Sequence, residues 1–137
     1  MTYLLDTNVL SEMRRQDKMD ARVKAWADAV AVADLYLSAI TLLEIELGVL
    51  SVARRDKAQA AILRSWIDTR VLPSFAGRIL SVDATVALRC AQLHVPDPRP
   101  ELDALIAATA LVHGLQVVTR NVADFRPMGV KLLNPWD

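Results

Sequence analysis

Cysteine occurs once in this chain of 137 residues, at Cys90, so an internal disulfide is excluded. A single thiol fits a reducing compartment, and its place among Ala and Leu assigns Cys90 to the core. Glycine is nearly as scarce, with four residues, and none builds a phosphate-cradling glycine loop. The two histidines, His94 and His113, fall near the expected C-termini of helices, where the dipole suits them, and read as structural. No nucleophilic serine with a histidine partner and no metal-spaced Cys or His pattern appears. An excess of either charge is missing too: 16 basic and 16 acidic residues cancel, which excludes a global basic field for nucleic acid. No apolar run approaches the roughly 20 residues that span a bilayer. The N-terminus shows no basic stretch followed by an apolar one, so no signal peptide is expected. These absences point to a cytoplasmic protein with no membrane association.

What is present is a chain 53% hydrophobic and 23% charged, of a length that suits one domain over residues 1–137. Tyr3-Leu4-Leu5 reads as a short buried strand, interrupted by Asp6-Thr7-Asn8, after which Val9 and Leu10 resume at helical spacing. Asp20–Val32 reads as a helix, Leu35–Ser38 as a second strand. Ser38 or Thr41 opens a helix with Leu43, Leu47 and Leu50 along one side, in which Gly48 suggests close packing or a local end. Arg54–Val71 reads as one long amphipathic helix burying Ala58, Ala61, Ile62, Ser65 and Trp66, ended by Pro73. Arg78–Val82 is expected to be a strand and Asp83 the cap of a helix over Ala84–His94. Three prolines between Pro96 and Pro100 make a loop, Pro100 leads into a helix over Glu101–His113, and Gly114 ends it. Leu115–Thr119 and Val130–Leu133 are the last two strands, the latter at an edge. This alternation predicts an α/β domain with a central, mostly parallel sheet of about five short strands flanked by helices.

The acids follow the ends of these elements. Asp6 follows the first strand, Glu44 lies in the helix after the second, and Asp103 sits in the first turn of an otherwise apolar helix. Asn121 and Asp124 follow the strand that ends at Thr119. Each has an ordinary reading: Asp6 as a helix cap, Asp103 as a partner of the helix dipole, Asp124 in a turn, Glu44 at the surface. Together they converge on the carboxyl edge of a parallel sheet, where such folds place ligands. Glu46, about 200° around the helix from Glu44, cannot face the same cleft. Carboxylates crowded within about 4 Å repel by about 4 kcal/mol per pair at an effective dielectric near 20, so the cluster needs protons or a cation. Oxygen donors alone favour hard ions, Mg²⁺ or Mn²⁺. By elimination, the chemistry, if the cluster performs any, is metal-activated water attacking a phosphodiester. Two basic runs, one at Arg14, Arg15, Lys18, Arg22 and Lys24 and one at Arg54, Arg55 and Lys57, are either solvated helix faces or guides for a polyanion.

Four segments, LLDTNVLSE at Leu4–Glu12, SAITLLEIELG at Ser38–Gly48, LDALIAATALVHG at Leu102–Gly114 and VVTRNVADF at Val117–Phe125, together resemble the PIN-domain ribonucleases. The likeness is to the VapC-like toxins of toxin–antitoxin pairs, in particular the FitB-like branch, whose ends resemble GVKLLNPW at Gly129–Trp136. It implies a metal-dependent endoribonuclease toxin with Asp6, Glu44 and Asp103 as catalytic, metal-holding acids. Thr7, Asn8 and Thr119 match small polar positions that support the carboxylates. The family's fourth acid falls on Asn121, which leaves Asn121, Asp124 or neither as the fourth ligand. Arg14 and Arg15 are candidates for the RNA backbone. The resemblance also implies a small antitoxin partner, a homodimer, and operator DNA reached only through the antitoxin. A catalytically inactive PIN-like binding module is the alternative. An acid-cluster phosphatase is disfavoured because position 8 is Asn, so the Asp-x-Asp pair of such enzymes is missing.

Overall fold

Tyr3–Leu5 forms β1, and strand alternation sends its two leucines to opposite faces. Leu4 and Leu5 are both fully buried, each in a different one of the two core clusters. The computed structural model describes all residues from Met1 to Asp137. β2 (Leu35–Ser38) and β4 (Gln116–Val118) flank β1, while β3 (Ile79–Leu80) and β5 (Leu132–Leu133) form the edges. The order is β3-β2-β1-β4-β5, and every pairing is parallel. A five-stranded parallel sheet covered on both faces is thus the architecture the alternating pattern predicts. Strand ends fall inside the expected ranges, with β3 and β5 reduced to two residues each.

The helices are α1 (Thr7–Met13), α2 (Ala21–Ala29), α3 (Ala39–Ala53), α4 (Lys57–Trp66), α5 (Leu72–Ser74), α6 (Ala84–Leu93), α7 (Glu101–His113) and α8 (Val122–Phe125). Side chains of Asp6, Asp20, Ser38, Asp56 and Asp83 cap five of them by accepting from backbone N–H groups of the first turn. Ser38, not Thr41, opens α3; Thr41 is fully buried instead, its hydroxyl unpaired. α7 is buried almost all round, with Ala104, Ala107, Ala108 and Ala110 keeping neighbours close, and Gly114 ends it in the left-handed conformation (φ 69°). Cys90 is buried, as expected.

Four helical expectations differ. α2 stops at Ala29, and Val32–Asp34 forms a separate 3₁₀ turn. The segment expected as one helix from Arg54 starts at Lys57, widens to a π turn over Ile67–Val71 and continues through Pro73 to Ser74. Its inward residues are Ala60, Ile67 and Val71, whereas Ala58, Ala61, Ile62 and Ser65 are exposed. On α3 the face carrying Ile45 and Val49 packs inward, leaving Leu43, Leu47 and Leu50 at 44%, 53% and 54% exposure. A helix apolar on several sides has a periodic stripe whichever side faces the core, so the pattern alone does not choose. Gly48 neither ends α3 nor marks close packing, since a Cβ built there meets nothing within 4 Å. No helix is long and apolar enough to cross a membrane.

Candidate metal centre

β1 delivers Asp6 to the carboxyl edge of the sheet, and its N–H still donates to the Val118 carbonyl at 2.9 Å. The side chain is 4% exposed. One oxygen, Oδ1, accepts from the Thr7 N–H at 2.8 Å, so Asp6 does cap α1. The other, Oδ2, accepts from the Thr119 hydroxyl at 2.7 Å and, at 3.4 Å, from the Asn8 amide. Thr119 is wholly buried after β4, and its Oγ1 also accepts from the Asn121 N–H at 2.9 Å. Asn8 Oδ1 in turn accepts from the Arg120 N–H at 3.3 Å. The small polar residues around Asp6 therefore hold one carboxylate in one orientation. The cap and the site residue are the same side chain.

Glu44 reaches this corner from α3, where its Oε1 accepts from the Thr7 hydroxyl at 2.6 Å. Glu46, on another side of α3, is forked onto Arg64, with one guanidinium nitrogen 2.7 Å from Oε1. It is paired rather than merely solvated. Asp103 enters from the first turn of α7. Burial and, after it, the negative charges of Asp6, Asp124 and Glu44 push its pKa up to about 6. Burial also raises Asp6, against the hydrogen bonds from Thr119 and Thr7 that favour its charged form, and the Asp124 charge raises it further. Asp124, exposed on α8, thus acts electrostatically on buried Asp6 and half-buried Asp103. Asn121 lies at the surface just before α8, and its side chain forms no hydrogen bond within the protein.

No cation offsets this concentration of charge. The four ion pairs of the chain, Arg15–Glu12, Arg22–Asp20, Lys24–Asp28 and Arg64–Glu46, involve none of the four acids. The donor set consists of hard oxygens, which suits Mg²⁺ or Mn²⁺. As placed, no three of these carboxylates are close enough together to grip a single ion.

Several residues singled out in the sequence lie elsewhere. Arg14 and Arg15 follow α1 at its far end, ~12 Å along the helix axis from Asp6. There Arg14 stacks over Trp66 at 5.9 Å, and Arg15 pairs with Glu12. They thus stand apart from the four acids, at the opposite end of α1. Arg54, Arg55 and Lys57 begin ~15 Å along α3 from Glu44 and are equally remote. A groove of about 640 Å³ runs past Leu10, Met13, Arg14, Ile62, Trp66 and Phe75 and touches none of the four acids of the cluster. His94 is occupied, its Nδ1 accepting from the Arg99 N–H at 3.1 Å, and His113 closes α7. Arg120, whose guanidinium lies over the Trp136 ring at 5.0 Å, drew no functional reading from sequence, although it directly follows Thr119.

The family model for the PIN domain matches residues 3–129. Toxin FitB of Neisseria gonorrhoeae is 41% identical over 138 residues, covering 97% of each chain. VapC ribonuclease Y4jK of Sinorhizobium fredii is 35% identical over 139 residues, covering 98% of this chain and 97% of its own. The crystal structure of FitAcB from Neisseria gonorrhoeae superposes with a TM-score of 0.89 at 39% identity, covering 98% of this chain and 99% of that one. A buried acid after the central strand, joined by acids from α3 and α7, and a likeness that runs from Tyr3 to Gly129 and beyond, have one explanation: the chain belongs to the PIN-domain family.

Proposed function

We propose that this protein is a Mg²⁺- or Mn²⁺-dependent endoribonuclease and the toxin of a toxin–antitoxin pair, acting in the cytoplasm. The observation that carries the reading is Asp103. Its carboxyl is held near neutrality by burial and by three neighbouring carboxylates, with no protein cation to relieve them. Such a group is costly in the free protein and becomes favourable once a divalent ion enters. The names of the relatives, a VapC ribonuclease and a FitB toxin, support the same reading.

Asp6, Glu44 and Asp103 would hold the ion, with Asp124 as the fourth acid. A divalent ion held there supplies a nucleophilic water at neutral pH and screens the charge of the phosphodiester. The chain's own contribution is orientation. Thr119, Asn8 and the Thr7 N–H fix Asp6, and the Thr7 hydroxyl fixes Glu44, so that the first turn of α1 sets two acids at once. In such a hydrolysis the water oxygen would bond to phosphorus as one P–O ester bond breaks, and the proton given up by the water would end on the departing oxygen, leaving a phosphomonoester and a free hydroxyl.

The partners follow the same line. The apolar groove at the far end of α1 suits a segment of a small antitoxin, which would carry any binding of operator DNA. The exposed leucines of α3 suit a homodimer. Incubation of the purified protein with total RNA in Mg²⁺, in Mn²⁺ and in EDTA tests the central claim. Defined fragments that disappear in EDTA are expected. Intact RNA under all three conditions would leave a PIN-like binding module.

A further inference from the structure

β1, β4 and β5 are parallel neighbours, so the residues that follow them stand side by side along one edge. Asp6 follows β1, Thr119 and Arg120 follow β4, and Asn134 to Trp136 follow β5. The pairing persists to that edge, where the Thr119 N–H donates to the Leu133 carbonyl at 3.0 Å. Trp136 is 7% exposed and packed into the core cluster that contains Leu5 and Val9. Its N–H is further tied to Asn134 Oδ1 at 2.9 Å. A fixed aromatic ring thus stands about two strand spacings, ~10 Å, from the column of Asp6.

Arg120 uses that ring. Its backbone is anchored to Asn8, and its guanidinium lies over Trp136 while the residue remains exposed and takes part in no ion pair. Stacking on that ring holds the side chain and removes part of its rotamer freedom in advance. The planar fork of N–H donors stays open to solvent on the same edge as the acids. Such a fork matches phosphate oxygens bidentately.

We propose that Arg120, seated on Trp136, binds a phosphate of the RNA strand flanking the one that is cut. The assignment rests on the nuclease reading and names how its substrate is held. The ring it rests on follows β5, on the side of β4 away from β1 and Asp6, so its contribution is to binding and register and not to the chemical step.

The test compares wild type, Arg120→Ala and Arg120→Lys, with melting temperatures confirming that each is folded. Binding of a short fluorescent single-stranded oligoribonucleotide is measured by anisotropy in EDTA over a salt series, and cleavage kinetics in Mn²⁺. For Arg120→Ala, the slope of log affinity against log salt is expected to fall by about 0.7, the value for one phosphate contact on a single strand. KM should rise about tenfold, as expected for a lost charged hydrogen-bonding contact, with the change falling on KM and not on kcat. Arg120→Lys should keep the salt slope and recover part of the affinity, since it keeps the charge without the fork. An unchanged slope and KM in Arg120→Ala, beside an active wild type, would overturn the proposal, as would a loss confined to kcat. Normal RNA binding with loss of a co-expressed protein partner would reassign Arg120 to that partner. A wild type that neither binds nor cuts RNA removes the nuclease reading itself, a result distinct from the others.

Discussion

At the scale of single residues, the acids divide by what else they do. Asp6 is simultaneously a cap and the recipient of the Thr119 hydroxyl, so replacing it removes repulsion but disturbs supporting hydrogen bonds. Asp103 has no such second role, which makes it the cleaner probe. Its folded-state pKa, about 6, lies above the ordinary 3.8. Between these values the folded protein binds more protons than the unfolded chain, so stability grows as pH falls through about 6 and is lost as pH rises through it. The metal-free protein should therefore melt higher at mildly acidic than at neutral pH. Asp103→Asn should flatten that dependence, melt above wild type at neutrality and cut no RNA; calorimetry in EDTA over a pH series reads the first two. Glu44→Gln should lower cleavage by orders of magnitude. Glu46→Gln, on another side of the helix, should leave cleavage nearly intact and change stability little, because the Arg64 pair it breaks is exposed to solvent. Equal loss of activity in both variants would remove Glu44 from the site. For the fourth acid, Asp124→Asn should raise the Mg²⁺ concentration needed for half-maximal cleavage more than Asn121→Ala does, because the Asp124 charge acts on both Asp6 and Asp103. The reverse order in a metal titration would assign the ligand to Asn121.

At the scale of elements, the short loops between strands and helices do the positioning. β1 passes directly into α1 through Asp6, and β2 into α3 through Ser38, so the capping residues stand at the sheet edge by construction. Caps and stops are local chemistry, and the caps at Ser38 and Asp83 and the stop at Gly114 were accordingly legible from their residues. The inward faces of α3 and α4 were not, because these helices are apolar on more than one side. Gly48 shows the same limit: a glycine in mid-helix suggests contact, yet there is open space around it. Gly48→Ala should consequently stabilise the protein by up to about 1 kcal/mol, read from urea denaturation, with cleavage unchanged. A destabilised variant would mean that a partner packs against this point in solution.

At the scale of the whole molecule, two kinds of apolar surface are left uncovered. The groove along Leu10, Met13 and Trp66 is concave and bordered by Arg14 and Arg70, whereas the α3 face is a stripe of leucines one turn apart. If that stripe is where two copies meet, Leu47→Glu should convert a dimer to a folded monomer, measured by light scattering, and leave the melting of the isolated chain within about 0.5 kcal/mol for a surface change. A dimer that persists would move the interface off α3. Asp6 and Arg120 follow β1 and β4, and Glu44 and Asp103 reach the same corner from α3 and α7, so such a monomer should retain measurable cleavage.

The amino-acid order by itself determined the alternation of strands and helices, the parallel sheet this forces, and the positions at which acids follow the strands. These depend on periodicity, caps and breakers, interactions between residues near in sequence. It also carried the family likeness, since LLDTN, the Glu44 helix, the Asp103 helix and the TRN segment recur in a fixed order. Only the tertiary structure decided which faces of α3 and α4 turn inward, that Arg14 and Arg15 are carried away from the acids, and that Arg120 meets Trp136. The reason is the same in each case. Those outcomes depend on the strand order β3-β2-β1-β4-β5, which brings residue 6 beside residue 119 and residue 120 beside residue 136, and no local pattern encodes the distance between segments.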